Sequence, residues 1–458
     1  MGIRILRTEL RRSVALWSAL LIAATGVFVL FASNPPYRAW LELVITQRDI
    51  LQLTWPLALG AGAWQGIRDR RSRVAELFST TPRPRRWRVV PVASAMAITA
   101  VVAYLVMLAG GIGHLRHPEA YFPAGAVGLI AVGALSMVAA VWLGLAIGSL
   151  LPSLLTPPFL VVAGFVALAL LPVALYDWQL GRPGSSLLFP SLQGPRDGGF
   201  TTQTFSARGN LSQALWLVAA AASGLAVFAA ARPLMRIAAL LPMIVGAAAA
   251  VPAMPQPLAA GWIEDRTATA IVCTSDTPLV CTARAHAYAL DELTGPGRRA
   301  MTILAAKLPP APTRILVLDL NDKPPRNPPA DTFVAHTSLV EDDIANYTPD
   351  NLVYVILDGA GTQSCSKEPP PEGAVLSPEE TRSSAARLVV TAWLLDDDLS
   401  TMGGDRRPEV ALAQPALTQL LGVPVEEQRA RVLAFRDAER ACADGDRLGL
   451  LTGASADR

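Results

Sequence analysis

The sequence predicts a polytopic α-helical membrane protein of about seven transmembrane helices, followed by an extracytoplasmic α/β domain. Long charge-free apolar runs are confined to residues 1–256, which carry 20 Arg, no Lys and 8 acidic residues. Residues 257–458 carry 19 basic and 29 acidic residues and all four cysteines. We therefore predict a membrane domain over 1–256 and a water-soluble domain over 257–458. The net charge of +2 gives no indication of a nucleic-acid partner.

Seven apolar runs account for the predicted spans. The hydrocarbon core of a bilayer is about 30 Å thick and needs about 20 apolar helical residues, and a charged side chain at its centre is costly. The second and seventh runs are short for this thickness. The predicted spans are residues 13–33, 50–66, 89–112, 125–150, 157–175, 210–231 and 237–254.

The longest charge-free stretch, residues 120–176, is long enough for two spans. Pro152, Pro157 and Pro158 interrupt it, because proline lacks the N–H that an interior helical position donates. Two helices joined by a tight turn fit this pattern better than one helix. The first run follows four arginines, as a signal peptide would, but its apolar stretch is too long for one, so we predict a retained anchor.

Arginine positions predict the orientation. With the N-terminus in the cytoplasm, the inner segments hold 14 arginines, eight of them in residues 67–88, and the outer segments 34–49, 113–124 and 176–209 hold six. Cytoplasmic loops of membrane proteins carry an excess of Lys and Arg. An odd number of spans then places everything after Met254 outside the cytoplasm. The predicted location is a bacterial cytoplasmic membrane, crossed several times.

The cysteines are consistent with this orientation. Disulfides persist in oxidising compartments, and four cysteines are an even number. The short spacing suggests that Cys273 pairs with Cys281 and, by elimination, Cys365 with Cys442, although four residues allow three connectivities. Four free thiols in a cytosolic domain are the alternative.

The Arg-rich segment between the second and third spans contains an apolar stripe. Val74, Leu77, Phe78 and Thr81 recur at i, i+3, i+4 and i+7, the spacing of one helix face, and Pro82 ends the helix. These residues predict a short amphipathic helix on the inner membrane surface. Contact with anionic lipid headgroups would be sufficient to explain it.

The string AELFSTTPRPRRWRVV, residues 75–90, resembles the first cytoplasmic loop of type 2 ABC exporter permeases, where an E-L-L-x-T-x-P stretch follows an Arg-rich run. The glutamate, the first leucine, a threonine and the proline match, and Phe78 stands where Leu is common. In that family this coupling helix docks into a groove of the partner ATPase, and the resemblance implies the same role here. The residues that it assigns to the coupling helix are Arg70, Arg71, Arg73, Val74, Glu76, Leu77, Phe78, Thr80, Thr81 and Pro82.

The resemblance extends over residues 1–231. Residues 1–12 look like the interfacial helix that precedes the first span in this family, although an ordinary basic flank explains them nearly as well. The run GLAIGSLLPSLLTPP, residues 144–158, is similar to the family's fourth and fifth spans joined by a minimal inner turn. Its Gly144 and Gly148 form a GxxxG pair, which permits close helix approach within one subunit or between two. The seventh span and the folded C-terminal part depart from the family's six-span plan.

Several catalytic motifs are absent from the sequence. No G-x-x-x-x-G-K-[ST] occurs, so an ATPase would have to be a separate chain. The glycine-rich run GAGAWQG, residues 60–66, lies inside a predicted span, where helix packing explains it better than nucleotide binding. The second domain has no H-E-x-x-H, H-x-x-E-H or G-x-S-x-G, and its two histidines, His286 and His336, are fifty residues apart. We predict no enzymatic activity, no cofactor and no metal site in this chain.

The second domain shows strand and helix signals. RILVLDL, residues 314–320, and NLVYVILDG, residues 351–359, are predicted strands. Ser377, Pro378 and Glu380 predict a capping box, and the helix that it opens carries Ala385, Leu388, Val389 and Ala392 on one face. Another helix is predicted at residues 425–442. Residues 323–331 and 367–373 are predicted loops.

Two functions of different classes fit these predictions. The first is the permease subunit of a bacterial ABC transporter, acting as an exporter, with a homodimeric or second permease partner, a cytoplasmic P-loop ATPase and membrane lipids around it. The second is a membrane-anchored receptor or interaction protein whose exported domain binds a ligand and which has no ATPase partner. The transported substrate is not predicted.

Overall fold

The chain divides into two compact units, Met1–Ala268 and Thr269–Arg458. The predicted boundary at residue 256 falls inside the first unit, because residues 262–264 pair with residues 203–205 as antiparallel strands. The computed structural model describes residues 14–32, 37–68, 86–174, 176–177, 182–183, 189–192, 194, 201–255, 258–310, 312–319, 322, 329, 331–337, 339, 347–362, 377–399, 407–443 and 445–454.

Helices dominate the first unit. Its described residues form nine, most of them rich in Ala, Leu, Val and Gly. The helices are α1 (Val14–Ala32), α2 (Trp40–Asp49), α3 (Leu51–Gly66), α4 (Arg86–Ile112), α5 (Ala124–Leu150), α6 (Thr156–Ala174), α7 (Ala207–Ala229), α8 (Pro233–Ala238) and α9 (Leu241–Ala253).

Five helical stretches among the described residues are long and apolar enough to cross a membrane. They are Ala15–Ala32, Val89–Ile112, Ala124–Leu150, Ala207–Ala229 and Pro233–Ala253. Helix α3 has 16 residues and α6 has a shorter apolar stretch, Thr156–Leu170, so these two predicted spans do not reach the same length. The chain is therefore built as a helical membrane protein, and its described residues contain five long apolar helical stretches where the sequence predicted about seven spans.

The break predicted within residues 120–176 is confirmed. Helix α5 ends at Leu150 and α6 begins at Thr156, with Pro157 and Pro158 in its first turn. The hydroxyl of Thr156 donates to the carbonyl of Leu151 at 2.7 Å, which closes the short turn between the two helices. Proline is tolerated in a first turn because the N–H groups there have no partner within the helix.

The helices of this unit alternate in direction. Helices α1, α4, α6 and α9 run one way and α3, α5 and α7 run the other, so that these seven helices alternate along the chain. Contacts between parallel helices are Gly26 with Met107 and Val27 with Gly110 (α1 with α4), Gly62 with Val141 and Gly66 with Leu145 (α3 with α5), and Gly128 with Asn210 and Gly224 with Trp142 (α5 with α7). Contacts between antiparallel helices are Tyr104 with Gly133 and Ala93 with Trp142 (α4 with α5), Gly60 with Val161 and Pro56 with Gly164 (α3 with α6), and Ser223 with Met243 and Ala219 with Gly246 (α7 with α9).

Helix α2 leads directly into α3 and packs within the same bundle. Leu43 lies against Gly111 at the end of α4, the side-chain amide of Gln47 donates to the carbonyl of Tyr104 at 2.7 Å, and α3 begins after a single turn residue, Ile50. Leu41, Val44 and Ile45 are among its buried residues. Residues 34–49 were predicted as an outer segment. Residues 40–49 form a packed helix that lengthens the second helical segment, a feature that the sequence did not predict.

Short strands complete the first unit. Strand β1 (Tyr176–Asp177) pairs antiparallel with β2 (Arg182–Pro183), and β3 (Gln203–Phe205) pairs antiparallel with β4 (Trp262–Glu264). Phe205 packs edge-on against Trp262, with ring centroids 5.1 Å apart, and Ser206 caps α7 by accepting from the N–H of Gly209.

The second unit holds a four-stranded sheet with helices around it. The strands lie in the order β5 (Ile271–Cys273), β6 (Leu279–Ala283), β7 (Arg314–Asp319) and β8 (Thr332–Thr337), of which the first pair is antiparallel and the next two pairs are parallel. Helix α10 (Leu290–Lys307) connects the parallel strands β6 and β7. The other helices are α11 (Pro349–Leu357), α12 (Pro378–Leu395), α13 (Arg407–Leu421), α14 (Val425–Arg440) and α15 (Arg447–Thr452).

Four of the predicted elements can be compared with this unit. The strand predicted at residues 314–320 is confirmed as β7, and the helix predicted at residues 425–442 as α14. The capping box of Ser377 and Glu380 is confirmed, and the predicted face of α12 is buried. The predicted loops at residues 323–331 and 367–373 lie mostly outside the described residues.

The strand predicted at residues 351–359 is wrong, because these residues form α11 and the turn after it. Thr348 caps this helix by accepting from the N–H of Asn351, and Pro349 occupies its first turn. Leu352, Val353, Ile356 and Leu357 are buried, which is the spacing of one helix face. A short apolar run does not distinguish a buried strand from a buried helix. Here the N-cap residue Thr348 favours the helix.

Candidate functional site

The predicted coupling helix falls on residues that the structure does not describe. All ten of its assigned residues, from Arg70 to Pro82, lie outside the described residues, as does the predicted interfacial helix at residues 1–12. Its two flanks are described: the chain leaves α3 through Ile67 and Arg68 and enters α4 at Arg86.

These flanks lie at the same end of the helical unit. Near the end of α3, Gly66 contacts Leu145 and Ser149, which belong to the last turns of α5. Near the start of α4, the carbonyl of Ala93 accepts from the indole N–H of Trp142, also on the second half of α5, at 3.0 Å. The turn between α5 and α6 follows at Leu151. The Arg-rich segment therefore joins two helices at the end of the unit that also carries the α5–α6 turn.

Glycines allow α3 and α5 to pack closely. A Cβ atom at Gly144 would lie 2.1 Å from the carbonyl oxygen of Leu59, and one at Gly148 would lie 2.3 Å from that of Ala63. On the facing helix, a Cβ atom at Gly62 would lie 2.2 Å from the carbonyl oxygen of Val141. The GxxxG pair thus packs within one chain, and the helix-packing interpretation of residues 60–66 is confirmed.

A buried arginine lies on the opposite half of the bundle. Arg48 of α2 is fully buried, and its guanidinium donates to the carbonyl of Pro190 at 2.9 Å, to the carbonyl of Leu129 at 3.1 Å and to Oε1 of Gln213 at 2.9 Å. Gln213 in turn donates to the carbonyl of Phe189 at 2.7 Å. Among the described residues no carboxylate accepts a hydrogen bond from Arg48.

This cluster was not predicted from the sequence, because Arg48 lies in the predicted outer segment 34–49. A signal was present, since Gln47 and Arg48 are flanked by Val44, Ile45, Ile50 and Leu51, an apolar pattern that continues into the predicted span. A charged residue inside a helical bundle indicates a functional or structural role, because burying a charge is costly unless polar groups surround it.

The predicted disulfide Cys273–Cys281 is present in the second unit. It joins the paired strands β5 and β6, whose Cα atoms at this position are 4.0 Å apart. Cys442 is also disulfide-bonded, and the partner predicted for it, Cys365, lies outside the described residues.

Polar residues meet at the carboxyl ends of the parallel strands. Nε2 of His286, three residues after β6, lies 3.2 Å from Oδ2 of Asp322, three residues after β7, without the alignment of a hydrogen bond. Burial lowers the pKa of His336 on β8 to about 4, although Asp322 acts in the opposite direction. Among the described residues, no three His, Cys, Asp or Glu side chains are placed to hold a metal ion.

Comparison of this chain with family models, with curated proteins and with solved structures gave no match.

Proposed function

We propose that this chain is the permease subunit of a bacterial ABC transporter, acting as an exporter, and that a separate cytoplasmic ATPase drives it through the coupling helix at residues 70–82. The chain pairs with a second copy or with a second permease in the cytoplasmic membrane. Its second unit lies outside the cytoplasm.

The observation that carries the proposal is the alternating direction of the helices, with the Arg-rich segment between α3 and α4. Alternation is what successive membrane crossings require, and it extends to α3 and α6 although they are short. Together α2 and α3 run from Trp40 to Gly66 with one turn residue between them, which at about 1.5 Å per residue exceeds a hydrocarbon core of about 30 Å. Seven crossings are therefore proposed.

Exposed apolar side chains support a membrane environment. Trp17 and Phe28 of α1 are 74% and 71% exposed, and Leu155 and Phe159 around the start of α6 are 76% and 67% exposed. Surfaces of this kind are unfavourable in water and favourable against lipid. The first unit is thus suited to a bilayer on its outer faces and to close helix packing inside.

ATPase capture tests the proposal. The full chain is purified from native membranes, and a co-purifying chain with a P-loop is identified and assayed for ATP hydrolysis. We expect the double variant Leu77→Glu and Phe78→Glu to lose that ATPase, because two charges would occupy the predicted apolar stripe. The matched control is Ser72→Glu with Ser79→Glu, which adds the same charge to the opposite face of the predicted helix.

Retention of the ATPase by the control and its loss from the stripe variant would support the proposal. A chain that is fully folded and inserted, yet recruits no ATPase in its wild-type form, would overturn it and would favour a receptor or interaction protein. Equal loss from both variants would overturn the assignment of Leu77 and Phe78 as the contact surface.

A further inference from the structure

A cavity of about 360 Å³ lies within the second unit, at the amino end of strand β8. The end of α10 and the proline-rich turn after it form one wall, and one face of α14 forms another. Its volume is in the range of small-molecule sites in proteins. The lining residues are Leu304, Leu308, Pro309, Pro310, Pro312, Asp331, Thr332, Phe333, Leu433, Arg436 and Arg440.

Most of this lining is apolar. Seven of the eleven side chains are Leu, Pro or Phe, and those of Leu304, Leu308 and Phe333 are almost completely buried. They are part of the main hydrophobic core of the unit, so the walls of the cavity are supported by packing. An apolar group of modest size would be protected from water here.

The charged residues of the lining are mostly positive. Arg436 and Arg440 lie one turn apart on α14, and neither forms an ion pair or a hydrogen bond with a carboxylate among the described residues. The guanidinium carbon of Arg436 lies 5.3 Å from the ring centroid of Phe333, and its Nε is buried without a hydrogen-bond partner. Burial, together with the positive charge of Arg440, lowers the pKa of Arg436 to about 10, against the opposing effect of Asp437.

The single acidic residue of the lining is already engaged. Asp331 accepts from the hydroxyl of Thr313, and its Oδ2 lies 3.7 Å from Nε of Arg314. Its Oδ2 is therefore engaged by Thr313 and Arg314, which lie outside the cavity lining, and Asp331 forms no ion pair with Arg436 or Arg440 among the described residues.

We propose that this cavity binds a small organic carboxylate with an apolar body. The apolar body would lie against the leucines, prolines and Phe333, and the carboxylate would accept hydrogen bonds from Arg436, whose planar guanidinium matches a carboxylate in geometry. Arg440, at the exposed side, adds attraction for the negative charge. A neutral ligand would lack the charge that the two arginines attract, and a cation would be repelled.

Phenylacetate is a suitable probe, with phenylacetamide as its neutral counterpart and acetate as the anion without an apolar body. Binding is measured by calorimetry on the full chain in lipid nanodiscs, with empty nanodiscs as the blank. We expect saturable binding of phenylacetate, and binding at least about tenfold weaker for the other two probes.

Variants locate the site. Arg436→Gln is expected to weaken phenylacetate binding by about tenfold or more, and Arg440→Gln by a smaller factor, since Arg440 is exposed. Arg431→Gln removes a cation from the same helix outside the cavity and is expected to leave the affinity unchanged. Because Arg440 is exposed, its variant reports on the site even if Arg436→Gln fails to fold.

The proposal would be overturned by an absence of saturable phenylacetate binding or by equal affinity for phenylacetamide. It would also be overturned by an Arg440→Gln variant whose affinity for phenylacetate equals that of the wild type. It is independent of the permease function, because the measurement uses this chain without an ATPase.

Discussion

At the scale of single residues, Arg48 links segments of the helical unit that are far apart in the sequence. Its three hydrogen bonds reach Leu129, Pro190 and Gln213, which lie 81, 142 and 165 residues away along the chain. The carbonyl of Pro190 and Oε1 of Gln213 accept from Arg48 in a largely apolar bundle, and a buried polar group without a partner costs about 1–3 kcal/mol. Arg48 thus ties α2 to α5, to α7 and to the segment before α7.

Replacement of Arg48 tests this role. We expect Arg48→Gln to lower the free energy of unfolding by about 3 kcal/mol, because at least two acceptors lose their donor. Arg48→Lys should recover only part of the loss, since an ammonium group does not reproduce the fork of a guanidinium. The measurement is unfolding of the purified chain in mixed detergent micelles.

The matched control is Arg116→Gln, which removes an exposed arginine and should change stability by no more than about 0.5 kcal/mol. If Arg48→Gln proves as stable as this control, the hydrogen bonds of Arg48 are not needed for folding.

At the scale of elements, close helix packing explains several features of the sequence that composition alone leaves ambiguous. Gly62 and Gly66 on α3 face Gly144 and Gly148 on α5, and each would place a Cβ atom within 2.5 Å of backbone on the other helix. Small residues at a helix interface let the backbones approach, which is a main source of association between helices in membranes. The sequence predicted the close approach, but not which helix Gly144 would meet.

Substitution of Gly144 tests the contact. In Gly144→Ala the new methyl group would overlap the carbonyl oxygen of Leu59, so the helices must separate, and we expect a loss of about 2 kcal/mol in the free energy of unfolding. Gly113→Ala is the control, because the nearest atom to a Cβ there is 3.4 Å away. Equal stability of the two variants would show that α3 and α5 are not held at this distance.

At the scale of the whole molecule, two features bear on the orientation in the membrane: the uneven distribution of charge and the alternation of helix direction. Residues 1–256 carry a strong excess of arginine and residues 257–458 an excess of acidic residues. The alternating helices place the flanks of the Arg-rich segment at one end of the first unit. By the positive-inside rule that end is expected in the cytoplasm.

Reporter fusions test the orientation. Alkaline phosphatase, which is active only outside the cytoplasm, should be active when fused after Asp265 and inactive when fused after Arg83, because seven of the proposed crossings separate the N-terminus from Asp265 and two separate it from Arg83. A cytoplasmic reporter at the same two positions should give the reverse pattern. Activity of the phosphatase after Arg83, with none after Asp265, would contradict the orientation.

The sequence by itself determined which stretches are too apolar for water, where the α5–α6 hairpin breaks and where α12 begins, because each of these depends on neighbouring residues. Tertiary structure alone decided that α2 enters the bundle, that Arg48 finds acceptors from distant segments and that Arg436 lies over Phe333. These outcomes depend on partners far along the chain, and the free energy of burying a charge or an apolar run is set by those partners. Local pattern therefore predicted the spans, whereas only packing revealed the buried arginine and the cavity.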